Sequence, residues 1–361
     1  MKNNLNFLAP IGYTGYGITS FNILKELHQK CKISLFCLND IKRLSLNHEA
    51  ESALIRETLI NNRFFDRSAP SLKIWHPNDL AMTVSKNKIC VFPFFELDFI
   101  PDIDRHHINS CDYIFTASSW GKTILENNGI NIPIIVSPLG VDMSIFKVDM
   151  SIVKKDPTKY VFFSIGKWEK RKSQDVAIEC FSKAFCNTDN VELWLFPHNP
   201  FLSQEETKAW FDLVENSKLR DKIKIFPRLP TQYDLNNAIN LGDCGLFLSR
   251  AEGWNNEIIE TMAVNKPVIC TNYSAHTEYC TQDNSYLIPI DKLEPAIDNK
   301  WFHGEGNWAN IDNQTKDYIV DTMKFVYNNN IRTNTAGLNT ANYYSWSRTS
   351  DIIYNTIYAN T

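Results

Sequence analysis

Short apolar runs, each followed by sequence with helical spacing, recur along the whole chain, and this alternation most limits what it can fold into. In the first part the runs are residues 5–10, 32–38, 72–76, 89–95, 113–117 and 134–137, with helical stretches at 19–28, 49–60 and 119–128 among them. A second series holds runs at 160–165, 191–196, 223–226, 244–248, 268–271 and 286–290, and ends in helical sequence at 314–329. Strands that alternate with helices predict a parallel sheet wound on both faces. The polar stretch 149–159, which carries Pro157, separates the two series and reads as a linker. The expected fold class is therefore α/β, with two doubly wound, Rossmann-like domains at residues 1–150 and 151–343. The segment Tyr343-Tyr344-Ser345-Trp346-Ser347 breaks the pattern, and Ser347 is the expected N-cap of a last helix reaching residue 359.

A chain of 361 residues with 43% apolar and 22% charged residues has the composition of a globular protein with a sizeable core. Its net charge of −4 excludes a uniformly basic nucleic-acid coat. The nine cysteines form no Cys-x-x-Cys pair, and most sit in apolar runs, as reduced core residues do. No apolar run is long enough to span a bilayer, and no signal peptide is visible, so the expected location is the cytoplasm.

Ligands of doubly wound sheets collect at the carboxyl ends of the strands. Gly12-Tyr13-Thr14-Gly15-Tyr16-Gly17 follows the first run, and a glycine-rich turn before a helix can cradle phosphate or sugar, which makes Gly15 and Gly17 candidates. Its spacing is not G-x-G-x-x-G, so a dinucleotide site is not indicated. Glu96, after the run 89–95, lies on the same rim. In the second series, Glu252-Gly253-Trp254-Asn255-Asn256-Glu257-Ile258-Ile259-Glu260 places one acid before a helix and one about two turns inside it. Asn255 reads as the N-cap, and the free N–H groups behind it favour an anion. Acid, anion-seeking amides and second acid suit a sugar joined to a diphosphate and a ribose. The loop Gly166-Lys167-Trp168-Glu169-Lys170-Arg171-Lys172-Ser173 brings basic side chains to another strand end. Phe226-Pro227-Arg228-Leu229-Pro230 offers backbone at a third, where Arg228 and Leu229 could meet a flat base.

Taken in order, these stretches resemble the family-four retaining glycosyltransferases of the GT-B fold, the glycosyl transferases group 1. The acids with seven residues between them, the Gly-Lys-Trp-Glu-Lys-Arg-Lys loop, Pro138-Leu139-Gly140-Val141-Asp142 and the aromatic C-terminal segment carry the resemblance, which spans most of residues 137–359. It implies two domains facing across a cleft, with residues 344–361 packing back on the first. It implies a nucleotide-diphosphate sugar, a UDP-sugar favoured, bound mainly by the second domain, and transfer to an acceptor hydroxyl with retention. Lys167 and Lys172 would hold the diphosphate and stabilise charge on the leaving group. Glu260 would bond the ribose, Glu252 the transferred sugar, and the amides near Asn255 and Asn256 sugar or phosphate. No metal and no cofactor beyond the co-substrate is implied.

Several residues depart from the family pattern. The usual Phe-Gly-Leu-Pro is Trp254-Asn255-Asn256-Glu257, the commoner arginine is Lys167, and the glycine after the second lysine is Ser173. No histidine stands at 91–98, where Glu96 is a candidate for a sugar or acceptor contact or else an ordinary strand-end acid. Asp102-Ile103-Asp104 follows a proline at a helix start, where acids are expected, and is not read as a metal site. The acceptor stays open between a surface glycan, a lipid-linked sugar and a hydroxymethylated pyrimidine of phage DNA. For the last, Lys42, Arg43, Arg56, Arg63 and Arg67 would supply a basic groove. From other classes, a GT-B-like nucleotide-sugar epimerase and a non-catalytic sugar-binding protein share the fold.

Overall fold

A computed structural model describes residues 3–39, 49–63 and 65–358. Lys42 and Arg43 of the expected basic groove lie outside them. The chain divides into two compact units, Met1–Asp142 with Tyr344–Thr361, and Met143–Tyr343.

The first unit runs β1 (Asn4–Ala9), α1 (Gly15–Lys30), β2 (Lys32–Cys37), α2 (Glu49–Ile60), β3 (Ser71–Ile74), β4 (Lys88–Val91), α3 (Asp102–Asn109), β5 (Tyr113–Thr116), α4 (Ser119–Asn127) and β6 (Ile134–Val136). Its sheet has the order β2-β1-β3-β4-β5-β6, and every pair is parallel. Phe7, Leu35, Ile74, Ile89, Ile114 and Phe115 are buried in it, as a sheet covered on both faces requires. The direction of strand order reverses between β1 and β3.

Helix α1 begins four residues earlier than the spacing predicts. Thr14 caps it by accepting from the Gly17 N–H at 3.4 Å, so Gly15 and Gly17 lie inside its first turn. A Cβ on Gly17 would come within 2.5–2.8 Å of the Gly12 backbone. Close packing of the helix start on the preceding turn thus accounts for a glycine at position 17.

The second unit runs β7 (Tyr160–Ile165), α5 (Gln174–Ala184), β8 (Val191–Phe196), α6 (Gln204–Glu215), β9 (Ile223–Ile225), α7 (Gln232–Leu241), β10 (Cys244–Phe247), α8 (Asn256–Ala263), β11 (Val268–Thr271), β12 (Tyr286–Ile288), β13 (Leu293–Ile297), β14 (His303–Ala309), α9 (Asn313–Asn328) and α10 (Thr335–Tyr343). Its parallel sheet has the order β12-β11-β10-β7-β8-β9. Numbered within the unit this is 6-5-4-1-2-3, the doubly wound order whose switch point lies between β7 and β10. Capping boxes, Ser203 with Glu206 and Thr231 with Asp234, start α6 and α7. The stretch 149–159, read as a linker, packs on this unit. The Asp149 N–H donates to Asn240 at 2.9 Å, and Lys154 pairs with the buried Asp243. The antiparallel hairpin β13–β14 was not expected.

The last helix, α11 (Trp346–Tyr358), belongs to the first unit. Ser345, not Ser347, caps it, accepting from the Arg348 N–H at 3.2 Å. Thr349 donates to the Pro138 carbonyl at 2.6 Å, and Tyr358 to the Asn4 carbonyl at 2.9 Å. No helix among the described residues is long and apolar enough to cross a membrane.

Candidate functional site

The loops after β7 and β10 meet at the switch point of the second sheet. After β7 the chain turns through Gly166 at φ 139°, and Lys172 returns so that its stem would touch any Cβ there, at 3.3–3.4 Å. After β10, Ser249 to Asn255 lead into α8, whose Ile258, Ile259, Met262 and Ala263 are fully buried. Those four follow helical spacing and anchor the helix, so the turn before it has a fixed base.

One backbone bond and several side-chain contacts tie the loops together. The Arg250 N–H donates to the Arg171 carbonyl at 2.7 Å, and Arg171 Nη1 to the Ala251 carbonyl at 2.9 Å. Arg171 Nη1 also lies 2.9 Å from Glu252 Oε2, and Nη2 lies 3.0 Å from Glu169 Oε2. Each acid then holds a lysine: Lys167 Nζ lies 2.6 Å from Glu169 Oε1, and Lys172 Nζ 2.7 Å from Glu252 Oε1. Lys167, Glu169, Arg171, Glu252 and Lys172 form a chain of alternating charge with a lysine at each end. Burial raises the Glu252 carboxyl, but Arg171 and then Lys172 more than offset this and hold it well below the ordinary range. Burial likewise opposes charge on Glu169, and Arg171 and Lys167 reverse it. Lys172 is held above its ordinary value because Glu252 and Glu257 outweigh the desolvation that lowers it. Glu169, Lys172 and Glu252 therefore keep their charges.

The sequence reading named Lys167, Lys172 and Glu252, and the structure brings them together. It gave no role to Arg171 or Glu169, although both stand in the motif; only their burial, at 4% and 9% exposure, marks them as interior rather than as a solvated charge run. Asn255 occupies the cap position of α8 at φ 80°, but its side chain makes no capping bond. It thus stands at the N-cap position expected of it, without the side-chain bond of an ordinary cap. Its Nδ2 instead lies 3.0 Å from His276 Nε2, a contact the sequence did not signal. The same turn docks on the segment after β11: the Glu252 N–H donates to Ser274 Oγ at 2.8 Å, and the Ala275 N–H to the Glu252 carbonyl at 3.1 Å.

Glu260 lies inside α8 at 6% exposure. Among the described residues no hydrogen bond or ion pair reaches its carboxyl, and burial, with Glu257 nearby, pushes its pKa well up. Arg228 and Leu229 lie on the loop after β9, Arg228 exposed and Leu229 half-buried. Partial burial and the Arg228 guanidinium lower the pKa of His198, at the end of β8. Arg250 turns away from the crevice toward the hairpin, pairing with Glu294 and stacking near Trp308.

Gly15, Gly17 and Glu96 belong to the first unit. Gly15 is exposed at the head of α1, Gly17 is buried, and Glu96 is half-buried on the loop after β4. Asp102 and Asp104 open α3, where Asp102 pairs with Arg105 at 3.0 Å. Among the described residues no three His, Cys, Asp or Glu side chains gather as a metal site.

Residues 145–296, all within the second unit, match the family model for glycosyl transferases group 1. No protein of curated function matches the chain by sequence. Solved structures match it over nearly its full length. Anabaena Alr3699/HepE, in complex with UDP and glucose, is 13% identical with a TM-score of 0.73, over 99% of this chain and 100% of that one. Sucrose-phosphate synthase from Thermosynechococcus elongatus is 11% identical with a TM-score of 0.73, over all of both chains. A glycosyltransferase from Rickettsia africae is 16% identical with a TM-score of 0.68, also over all of both. The chain has the GT-B fold of these proteins, and the match to the group 1 glycosyltransferase model lies within its second unit.

Proposed function

We propose that the protein transfers a sugar from a UDP-sugar to an acceptor hydroxyl, with retention at the anomeric carbon and without a metal ion. The observation that carries this is the pair of lysines, Lys167 and Lys172, held at the switch point of the second sheet on buried carboxylates that share Arg171. Cations fixed there suit a diphosphate, and the negative charge that grows on it as the sugar leaves is stabilised without rearrangement of the site. Glu260, a buried carboxyl with no hydrogen-bond or ion-pair partner among the described residues, suits the ribose hydroxyls, which it can both donate to and accept from while it is protonated. The Anabaena relative holds UDP and glucose, which supports uridine as the nucleotide.

In the proposed reaction the bond from the anomeric carbon to the leaving phosphate oxygen breaks. The acceptor oxygen bonds to the same face of that carbon, and its proton passes to the departing phosphate. Lys167 and Lys172 hold the phosphate oxygens, and Glu252 keeps Lys172 charged and in place. The acceptor is a hydroxyl of a surface glycan or lipid-linked sugar in this reading.

Isothermal titration tests it. Wild type is expected to bind UDP, and Lys172→Met to bind it at least about ten-fold more weakly, the weight of one charge-assisted hydrogen bond. Unchanged affinity in Lys172→Met, or no binding of UDP, GDP or ADP by the wild type, overturns the reading. With an acceptor in hand, NMR of the product's anomeric proton decides retention.

A further inference from the structure

The turn at the head of α8 is where this chain departs most from the family's usual residues, and a hydrogen-bond relay lies behind it. His276 is fully buried, and its Nδ1 faces the Thr271 carbonyl at 3.0 Å and the Thr271 hydroxyl at 3.3 Å. The carbonyl can only accept. The hydroxyl has already given its hydrogen to the Ser249 carbonyl at 2.6 Å, so it too can only accept. Nδ1 must therefore carry the ring's proton. Burial keeps the imidazole neutral, so Nε2 is bare and accepts. Asn255, 3.0 Å away, must then present its NH2 group to Nε2, which fixes its amide oxygen on the other side.

Among the described residues that buried oxygen has no hydrogen-bond partner, and neither has Oδ1 of the adjacent Asn256. Native interiors rarely leave such acceptors unpaired, and each one calls for a partner. An amide oxygen locked as an acceptor suits a hydroxyl or N-acyl hydrogen and disfavours a phosphate oxygen. On the turn that carries Glu252, it suits the sugar of a donor better than its diphosphate. Glu252 lies on the same turn, docked on the segment 274–276 that carries the histidine.

We propose that Asn255 is a specificity residue for the transferred sugar and His276 its positioning residue, the relay Ser249–Thr271–His276–Asn255 fixing the Asn255 amide oxygen as an acceptor for a sugar hydrogen. The inference rests on the nucleotide-sugar reading above.

The test is isothermal titration of wild type and variants with UDP, UDP-glucose, UDP-galactose and UDP-N-acetylglucosamine, read as each donor's affinity relative to UDP. Asn255→Gly removes the amide while φ 80° suits glycine, so the turn persists. It is expected to weaken the preferred donor relative to UDP about ten-fold, the weight of one buried hydrogen bond. His276→Leu, which frees the amide to turn over, is expected to do the same. His276→Gln, whose Oε1 restores an acceptor beside Asn255, is expected to recover most of the preference. A wild-type ratio in Asn255→Gly overturns the inference, and so does equal loss of UDP and UDP-sugars in His276→Leu, which marks a merely structural residue. If the wild type binds no nucleotide, the donor reading falls and takes this inference with it; if it binds UDP and the ratios do not move, only this inference falls.

Discussion

Replacing Arg171 by methionine keeps the stem of the side chain and removes the group shared by both buried acids. The guanidinium now reaches Glu169 at 3.0 Å, Glu252 at 2.9 Å and the Ala251 carbonyl at 2.9 Å. Removing one partner of a buried ion pair costs about 3–5 kcal/mol. Each acid would keep a lysine, so the lower end, about 3 kcal/mol, is expected. For a unit the size of Met143–Tyr343 this lowers the melting temperature by about 6–12 °C. Circular dichroism melts of both proteins at pH 7 measure it. The pH dependence gives a second check. Burial opposes charge on Glu252, and Arg171 and Lys172 together depress its pKa below the unfolded value. Its contribution to stability is therefore fully present above about pH 4.5 and lost as pH falls toward the folded value. Since Arg171 supplies much of that depression, the gap between variant and wild type should narrow as pH falls below 4.5. A variant that melts within about 2 °C of wild type, or a gap that stays constant on acidification, would refute the assignment of Arg171 as the hub of the charge chain.

Three further outcomes follow from single residues. Burial lowers His276 from 6.5 to about 4, so the unfolded chain binds more protons between those values, and stability should rise by about 3 kcal/mol from pH 4 to 6.5 and then level off. His276→Leu should lose this slope in melts at stepped pH; an unchanged slope assigns it to other groups. Ser173→Gly relieves a left-handed backbone at φ 54° and should stabilise by about 0.5–1 kcal/mol in denaturant titration, whereas destabilisation would mean that the side chain holds the loop. Gly140→Ala places a Cβ against the backbone of Ser345 and Trp346, and should release α11 from the first unit, seen as faster hydrogen exchange over residues 346–358. Unaltered exchange would show that the backbone there yields.

The strands were legible because strands buried on both faces are short continuous apolar runs, and runs such as 160–165 and 191–196 coincide with β7 and β8. Sequence gave less purchase where side chains alternate less cleanly. Residues 293–309 form a hairpin whose Pro295, Gly304 and Gly306 read as loop, and whose anchor, Arg250 with Glu294 and Trp308, is a long-range contact with no local signal. Helix starts moved for a related reason. Thr14 and Ser345 cap α1 and α11, and each position depends on which backbone the helix packs against: Gly12 for the one and the segment around Gly140 for the other.

The site was legible as a list of residues but not as a set of partners, and its two departures from glycine show why. Ser173 and Asn255 stand where the motifs this chain resembles have glycine, and from sequence alone each weakens the resemblance. In the structure both keep a left-handed backbone, at φ 54° and φ 80°. The turns that hold Lys172 and lead into α8 thus persist with residues for which that conformation is costly. Asparagine tolerates it better than most, because its short polar side chain finds local partners. At Asn255 the partner is His276, twenty-one positions along the chain. Motif spacing records the conformation, since glycine is its ordinary carrier, but cannot say what replaces glycine's freedom when the residue changes. Here tertiary structure supplies it: the histidine holds the amide, the amide fills the turn, and the substitution that looked like erosion of a motif gives the turn a side chain able to read a ligand.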